Sequence, residues 1–171
     1  MKKAFNVFAL AFTAIILAFA VSCSDDGDDN PIVDQDPPVE RGKMKMTITN
    51  SGGDWAPGQT IFTPEATRDL FDLYIKFDSP FEFSLTLDRP KGDNSTGAFS
   101  LSNSHKMLII GGPDSTSLKT YQATSGVINI TSLTDSTIKA NFDGITLDYV
   151  NDPSIKLTIN DAELDLDIKD E

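Results

Sequence analysis

The sequence predicts an all-β body: a single antiparallel β-sandwich or barrel-like domain of about 9–11 short strands. Three observations predict it. In "FDLYIKF" the apolar residues Phe71, Leu73, Ile75 and Phe77 alternate with Asp72, Tyr74 and Lys76, and after "DSP" the residues Phe81, Phe83, Leu85 and Leu87 alternate with Glu82, Ser84 and Thr86. A period of two gives each strand one buried face, so this pair reads as a hairpin. Turn-rich stretches ("SGGDWAPGQ", "RPKGDNSTG", "GGPDST", "LTDS", "NDPS") punctuate the rest of the chain at short intervals,. With one cysteine in 171 residues the body has no internal disulfide and must cohere through strand packing,.

Taken in order, the expected strands are 43–49, 60–63, 71–77, 81–87, 97–101, 106–110, 117–122, 126–131, 137–143, 145–149, 154–159 and 162–168. Side-chain parity changes twice. Ile138, Ala140 and Phe142 give way to Ile145, Leu147 and Tyr149, and Ile155, Leu157 and Ile159 give way to Ala162, Leu164, Leu166 and Ile168. A one-residue slip reverses the faces of a strand, which places a bulge or tight turn at Gly144 and at Asn160-Asp161. The one helical candidate is "TPEATRDL", with Thr63 as cap and Pro64 at the first position,.

The start of the chain has a different character. Lys2 and Lys3 precede an apolar run from Ala4 to Phe19, and the small residues Ala20-Val21-Ser22 precede Cys23. That is the layout of an export signal over residues 1–22. The run is shorter than the roughly 20 residues that cross a bilayer, and no basic flank follows it. Ala20-Val21-Ser22-Cys23 resembles the lipobox of bacterial lipoproteins. The resemblance implies cleavage before Cys23 and acylation of its thiol and of the new amino terminus, and two or more acyl chains anchor stably where one does not. Ser24-Asp25-Asp26 resembles the export tag of Bacteroidota surface lipoproteins, which implies an outer-membrane protein displayed on the cell surface, with the periplasmic face as the alternative.

Residues 23–42 then form an acidic tether. Asp25, Asp26, Asp28, Asp29, Asp34, Asp36 and Glu40 face only Arg41, with Pro31, Pro37 and Pro38 among them. Such composition buries too little to offset its ordering entropy, so the segment is expected to be extended and disordered. The globular domain is 43–171. Loss of the signal removes two lysines and no acid, taking the net charge from −12 to −14. A surface that negative repels phosphate backbones, which excludes nucleic acid as a partner.

Chemistry-bearing residues are few. His105 is the single histidine, and without a second histidine or a free thiol no transition-metal site or other cofactor site is implied,. Asp161, Glu163, Asp165 and Asp167 alternate along one face of the last strand. Their repulsion invites a cross-strand lysine or a calcium ion, and facing carboxylates are what glycoside hydrolysis requires. Trp55 sits in the glycine-rich loop "GGDWAPG", where its ring either plugs the end of the core or, with Tyr74 and Tyr121, offers a stacking platform to a sugar or peptide,. "DST" occurs at 114–116 and 135–137 and resembles the O-glycan acceptor sequence of exported Bacteroidota proteins, which implicates Ser115 and Ser136.

The last 50 or so residues, "YQATSGVINITSLTDSTIKANFDGITLDY" followed by "SIKLTINDAELDLDI", resemble the closing strands of small uncharacterised Bacteroidota lipoprotein domains. Ala140-Asn141-Phe142 stands in place of that family's Gly-x-Phe, and Asp161-Ala162-Glu163 where it has a glycine. The resemblance implies an all-β fold and an envelope location and no activity. The expectation is therefore a non-catalytic, lipid-anchored module binding a glycan, peptide or envelope protein. A purely structural assembly component is the second reading, and a carboxylate hydrolase the third.

Overall fold

A computed structural model describes residues 37–101 and 105–170. The signal, Cys23, Ser24, Asp25 and Asp26 lie outside the described residues. Ten strands are present among the described residues: β1 (Lys43–Ser51), β2 (Gly58–Phe62), β3 (Glu65–Arg68), β4 (Leu73–Phe77), β5 (Glu82–Leu87), β6 (Gly97–Ser100), β7 (Lys106–Gly111), β8 (Lys119–Leu133), β9 (Thr137–Tyr149) and β10 (Asp152–Asp170). All pairs are antiparallel except that of β3 with the end of β10, which is parallel.

The strands close into a ring. Following hydrogen-bonded neighbours from β10 through β3, β4, β5, β7, β8 and β9 returns to β10. β1 and β2 extend the sheet from β10, and β6 extends it from β8. The two long strands make this closure possible because each serves two partners on one edge. β10 pairs with β1 over Lys156–Asp165 and with β3 over Ile168–Asp170. β8 pairs with β7 over Lys119–Gln122 and with β6 over Val127–Ile130. The all-β, barrel-like expectation holds, and three pairs of expected short strands prove to be single long ones.

Those long strands are bent where the parity changes. Ile145 lies opposite Ile159 and Phe142 opposite Ala162, and all four are buried. Between these pairs Gly144 has φ +63° and Asp161 φ +49°, so β9 and β10 switch faces in step. The Asp161 N–H donates to Asp143 Oδ1 at 3.0 Å, which closes the kink. β1 does not switch: Asp161 and Ala162 together oppose Met46, a bulge on β10,. β8 carries its own irregularities between Ala123 and Val127. The crease thus crosses four adjacent strands and turns the sheet toward closure.

Alternate residues of the ring strands and of β1 meet in one apolar core that includes Met44, Met46, Leu73, Leu85, Ile109, Ile128, Leu147 and Leu164. Burying each such side chain contributes about 1.5–3 kcal/mol, and that is what fixes strand register here. Near the β4–β5 turn Phe62, Phe77 and Phe83 stack in series, with ring centroids 4.2 and 5.1 Å apart.

Two expectations are corrected. "TPEATRDL" is not a helix; its centre is β3, with Ala66, Thr67 and Arg68 buried between β10 and β4. A lone turn of helix nucleates poorly, and two neighbouring strands offer this backbone better partners. Phe71 does not continue the alternation of β4. It stands 71% exposed in the β3–β4 turn, because the Asp69 carboxylate accepts the N–H groups of Phe71 (2.7 Å) and Asp72 (2.8 Å) and ends the strand early.

Candidate functional site

The glycine-rich loop after β1 carries Trp55 onto the backbone of Gly111 at the end of β7, where a Cβ would collide with the indole. The ring stacks against Tyr121 with centroids 6.2 Å apart and meets Phe81 edge-on at 5.5 Å. Tyr121 and Tyr149 are register partners on β8 and β9, with rings 5.8 Å apart. An aromatic row therefore runs Phe81, Trp55, Tyr121, Tyr149 across the end of the ring where β10 begins. Tyr121 is 1% exposed and burial pushes its phenol pKa up, whereas Trp55 and Tyr149 stay partly open.

Polar groups surround the open part of the row. Lys119 Nζ lies 3.3 Å from Asp54 Oδ1 and 5.8 Å from the centre of the Tyr149 ring. Its hydrogen bond to Asp54 raises the lysine pKa and keeps it cationic. Asn151 Nδ2 donates to the Tyr149 hydroxyl at 3.1 Å, and exposed Leu118 and Val150 flank the site. Chemically this is an aromatic rim with a cation, a carboxylate and an amide beside it, groups that can stack and hydrogen-bond,.

The expected trio is not assembled. Tyr74 pairs with Thr67 and Thr86, away from Phe81 and the Trp55 row, and its hydroxyl donates to Asp72 Oδ2 at 3.2 Å. Tyr121 lies beneath the surface. Tyr74 and Trp55 are both half-buried, but only Trp55 keeps its open face in this row, and Tyr149, which the sequence offered only as a strand residue, joins it.

The acidic stripe is partnered rather than gathered. Asp165 pairs with Lys139 at 2.6 Å, Asp167 takes both Nε and Nη2 of Arg41, and Glu163 accepts the Val39 N–H at 3.4 Å. Asp161 is turned aside by the bulge. Among the described residues no group of three or more His, Cys, Asp or Glu side chains is arranged to hold a metal ion, and the calcium candidate is set aside. The same contacts fasten residues 37–42 of the tether along β10, where Gly42 N–H also donates to the Asp165 carbonyl at 2.6 Å. Of the two partners expected for this repulsion, the cross-strand lysine is present as Lys139, and Arg41 from the tether adds a second cation.

His105 is half-buried, its ring stacked on Phe99 at 5.7 Å, and Arg89 lies over the same Phe99 at 3.8 Å. Burial and then the Arg89 charge hold the His105 pKa below its usual value. Ser115 and Ser136 are both exposed in turns. Comparison with protein-family models, with curated proteins and with solved structures finds no match to this chain.

At the other end, where β10 finishes, sequence reasoning missed two features. Arg68 is fully buried, and its guanidinium donates to the carbonyls of Arg89 (2.9 Å), Pro90 (2.7 Å), Thr134 (3.3 Å) and Asp93 and to Asn94 Oδ1 (3.2 Å). The helical assignment of its segment hid it. Beside it, Arg68, Asp69, Leu70, Phe71 and Lys91 line an open recess of about 450 Å³. The only available signal was the apolar pair Leu70-Phe71 between two aspartates, which alternation absorbed into a strand.

Proposed function

We propose that the chain is an outer-membrane lipoprotein, anchored through Cys23, whose non-catalytic β domain binds a glycan or peptide ligand, or an envelope protein, at the cell surface through the Trp55–Tyr149 rim. The observation that carries this reading is the partly open aromatic pair ringed by Lys119, Asp54 and Asn151. The anchor rests on the Ala20-Val21-Ser22-Cys23 sequence and on the acidic residues that follow it. Among the described residues the carboxylates displaced from their usual pKa, Asp69, Asp93, Asp114 and Asp152, all move down through hydrogen bonds they accept. A general acid for hydrolysis requires the opposite shift, which argues against the third reading.

The test is a screen of glycans and envelope peptides against the mature chain and its Tyr149→Ser variant, which removes the half-buried ring of the rim and spares buried Tyr121. Retained ligand capture by the variant would overturn the assignment of the rim. The second reading, an assembly component without a small ligand, draws support from the packing of Trp55 onto Gly111 and the burial of Tyr121. For the anchor, Cys23→Ala is expected to abolish palmitate incorporation in cells, and label persisting in that variant would end it.

A further inference from the structure

Leu70 and Phe71 are adjacent, 75% and 71% exposed, and held on a turn stiffened by the Asp69 carboxylate. Two large apolar side chains at a rigid hairpin tip are costly to leave in water without a partner. Their place in the fold says which partner. β3 runs parallel to the end of β10, with Arg68 opposite Asp170, so the tip projects past the C-terminal end of β10. Lys91 at the recess is bonded to Asp170 at 2.8 Å. The last residues of the tether, 37–42, lie along the C-terminal half of the same strand, with Arg41 on Asp167 and Val39 on Glu163.

The tip and the anchored end of the chain thus share one half of β10, while the Trp55–Tyr149 rim lies at the end where β10 begins. From the Pro37 side, residues 24–36 can span about 45 Å when extended, and the distance from Glu163 to Asp170 is about 23 Å. An acyl anchor at Cys23 therefore leaves the tip free to reach the bilayer. Tethering also raises the effective concentration of the tip at the surface, so two side chains suffice where an untethered protein would need more.

We propose that the Leu70–Phe71 hairpin tip inserts into the interfacial region of the lipid surface that anchors the chain and turns the Trp55–Tyr149 rim away from it. The inference rests on the anchored reading above and goes beyond it by assigning a second membrane contact and an orientation. Asp69 and Asp72 flank the tip, and the nearby Lys91 is already paired with Asp170, so a zwitterionic headgroup layer fits the site better than an anionic one,.

The lone cysteine and lone tryptophan make the test direct. The chain from Cys23 onward is coupled through that thiol to maleimide-bearing lipid in phosphatidylcholine/phosphatidylethanolamine vesicles whose acyl chains are brominated near the headgroup. Trp55 emission in the unsubstituted chain is expected to be unquenched, whereas Phe71→Trp adds emission that loses most of its intensity in brominated vesicles. Further replacement of Leu70 by Asp in that variant is expected to restore it. An added emission untouched by bromine, or equal quenching of Trp55 in the unsubstituted chain, overturns the proposal. Because chemical coupling supplies the anchor, this result is independent of natural acylation at Cys23, which palmitate labelling reads separately.

Discussion

Arg68 brings a guanidinium into a body that is otherwise apolar inside, and it does so with all three nitrogens bonded to the carbonyls and amide of the loop between β5 and β6 and to the turn before β9. Asp135 Oδ1 lies 3.5 Å away and balances the charge. A buried cation with this many acceptors ties two loops that lie far apart in sequence. Removing it strands several carbonyls at once, so Arg68→Met is expected to cost about 3–5 kcal/mol in urea unfolding. Arg68→Lys should recover little of that, because an ammonium cannot span the same fork of acceptors. A loss near that of a surface substitution would contradict the role. Alternation in the sequence located most buried residues, but at this scale it misplaced two. It had no means of seeing that Arg68 would be enclosed by loops distant in sequence, or that Asp69 would end the β3–β4 register before Phe71.

The crease across β1, β8, β9 and β10 is the feature that turns a flat sheet into a ring. Its cost is concentrated at three residues with positive φ, Gly126 on β8, Gly144 on β9 and Asp161 on β10. Gly144 takes that conformation freely, while Asp161 takes it with a Cβ and is held by the N–H bond to Asp143,. Gly144→Ala is expected to destabilise the fold by about 1–2 kcal/mol through left-handed strain. Asp161→Gly should leave the melting temperature unchanged or raise it. A thermal melt of the two variants checks both signs, and equal losses would mean that the bend is not set locally. Both kinks were legible as parity changes. That each pair of half-strands is one continuous strand was not, since parity reports a change of face and says nothing about whether hydrogen bonding is interrupted.

For the whole molecule, acid is expected to weaken the fold in two steps. His105 has a folded pKa below the usual 6.5, so just under that pH the unfolded chain binds more protons than the folded one and stability falls as pH drops,. Asp69, Asp93, Asp114 and Asp152 have folded values below the usual 3.8, so their contribution is full above that pH and is lost as pH falls through it. Urea midpoints measured from about pH 7 to about pH 5.5 should therefore decline, and His105→Asn should remove that upper step while sparing the lower one. An unchanged upper step in the variant would assign it elsewhere. Acid also relieves the repulsion of a strongly anionic surface, but mainly where carboxylates titrate, below the histidine window.

The sequence by itself determined that this chain is all-β and where its faces change side, and it suggested a signal and an acidic tether over the amino-terminal quarter. Each of these follows from local order: period two, turn residues, and runs of like composition. Only the tertiary structure decided which aromatics meet, that the acidic stripe is answered by Arg41 and Lys139, and that Leu70-Phe71 stands out beside the end of β10. The physical reason is that pairing of the first and last strands brings together residues separated by most of the chain, as Arg41 and Asp167 are. Short-range pattern cannot carry that information, because it is the register between strands, fixed by burying one common core, that chooses such neighbours.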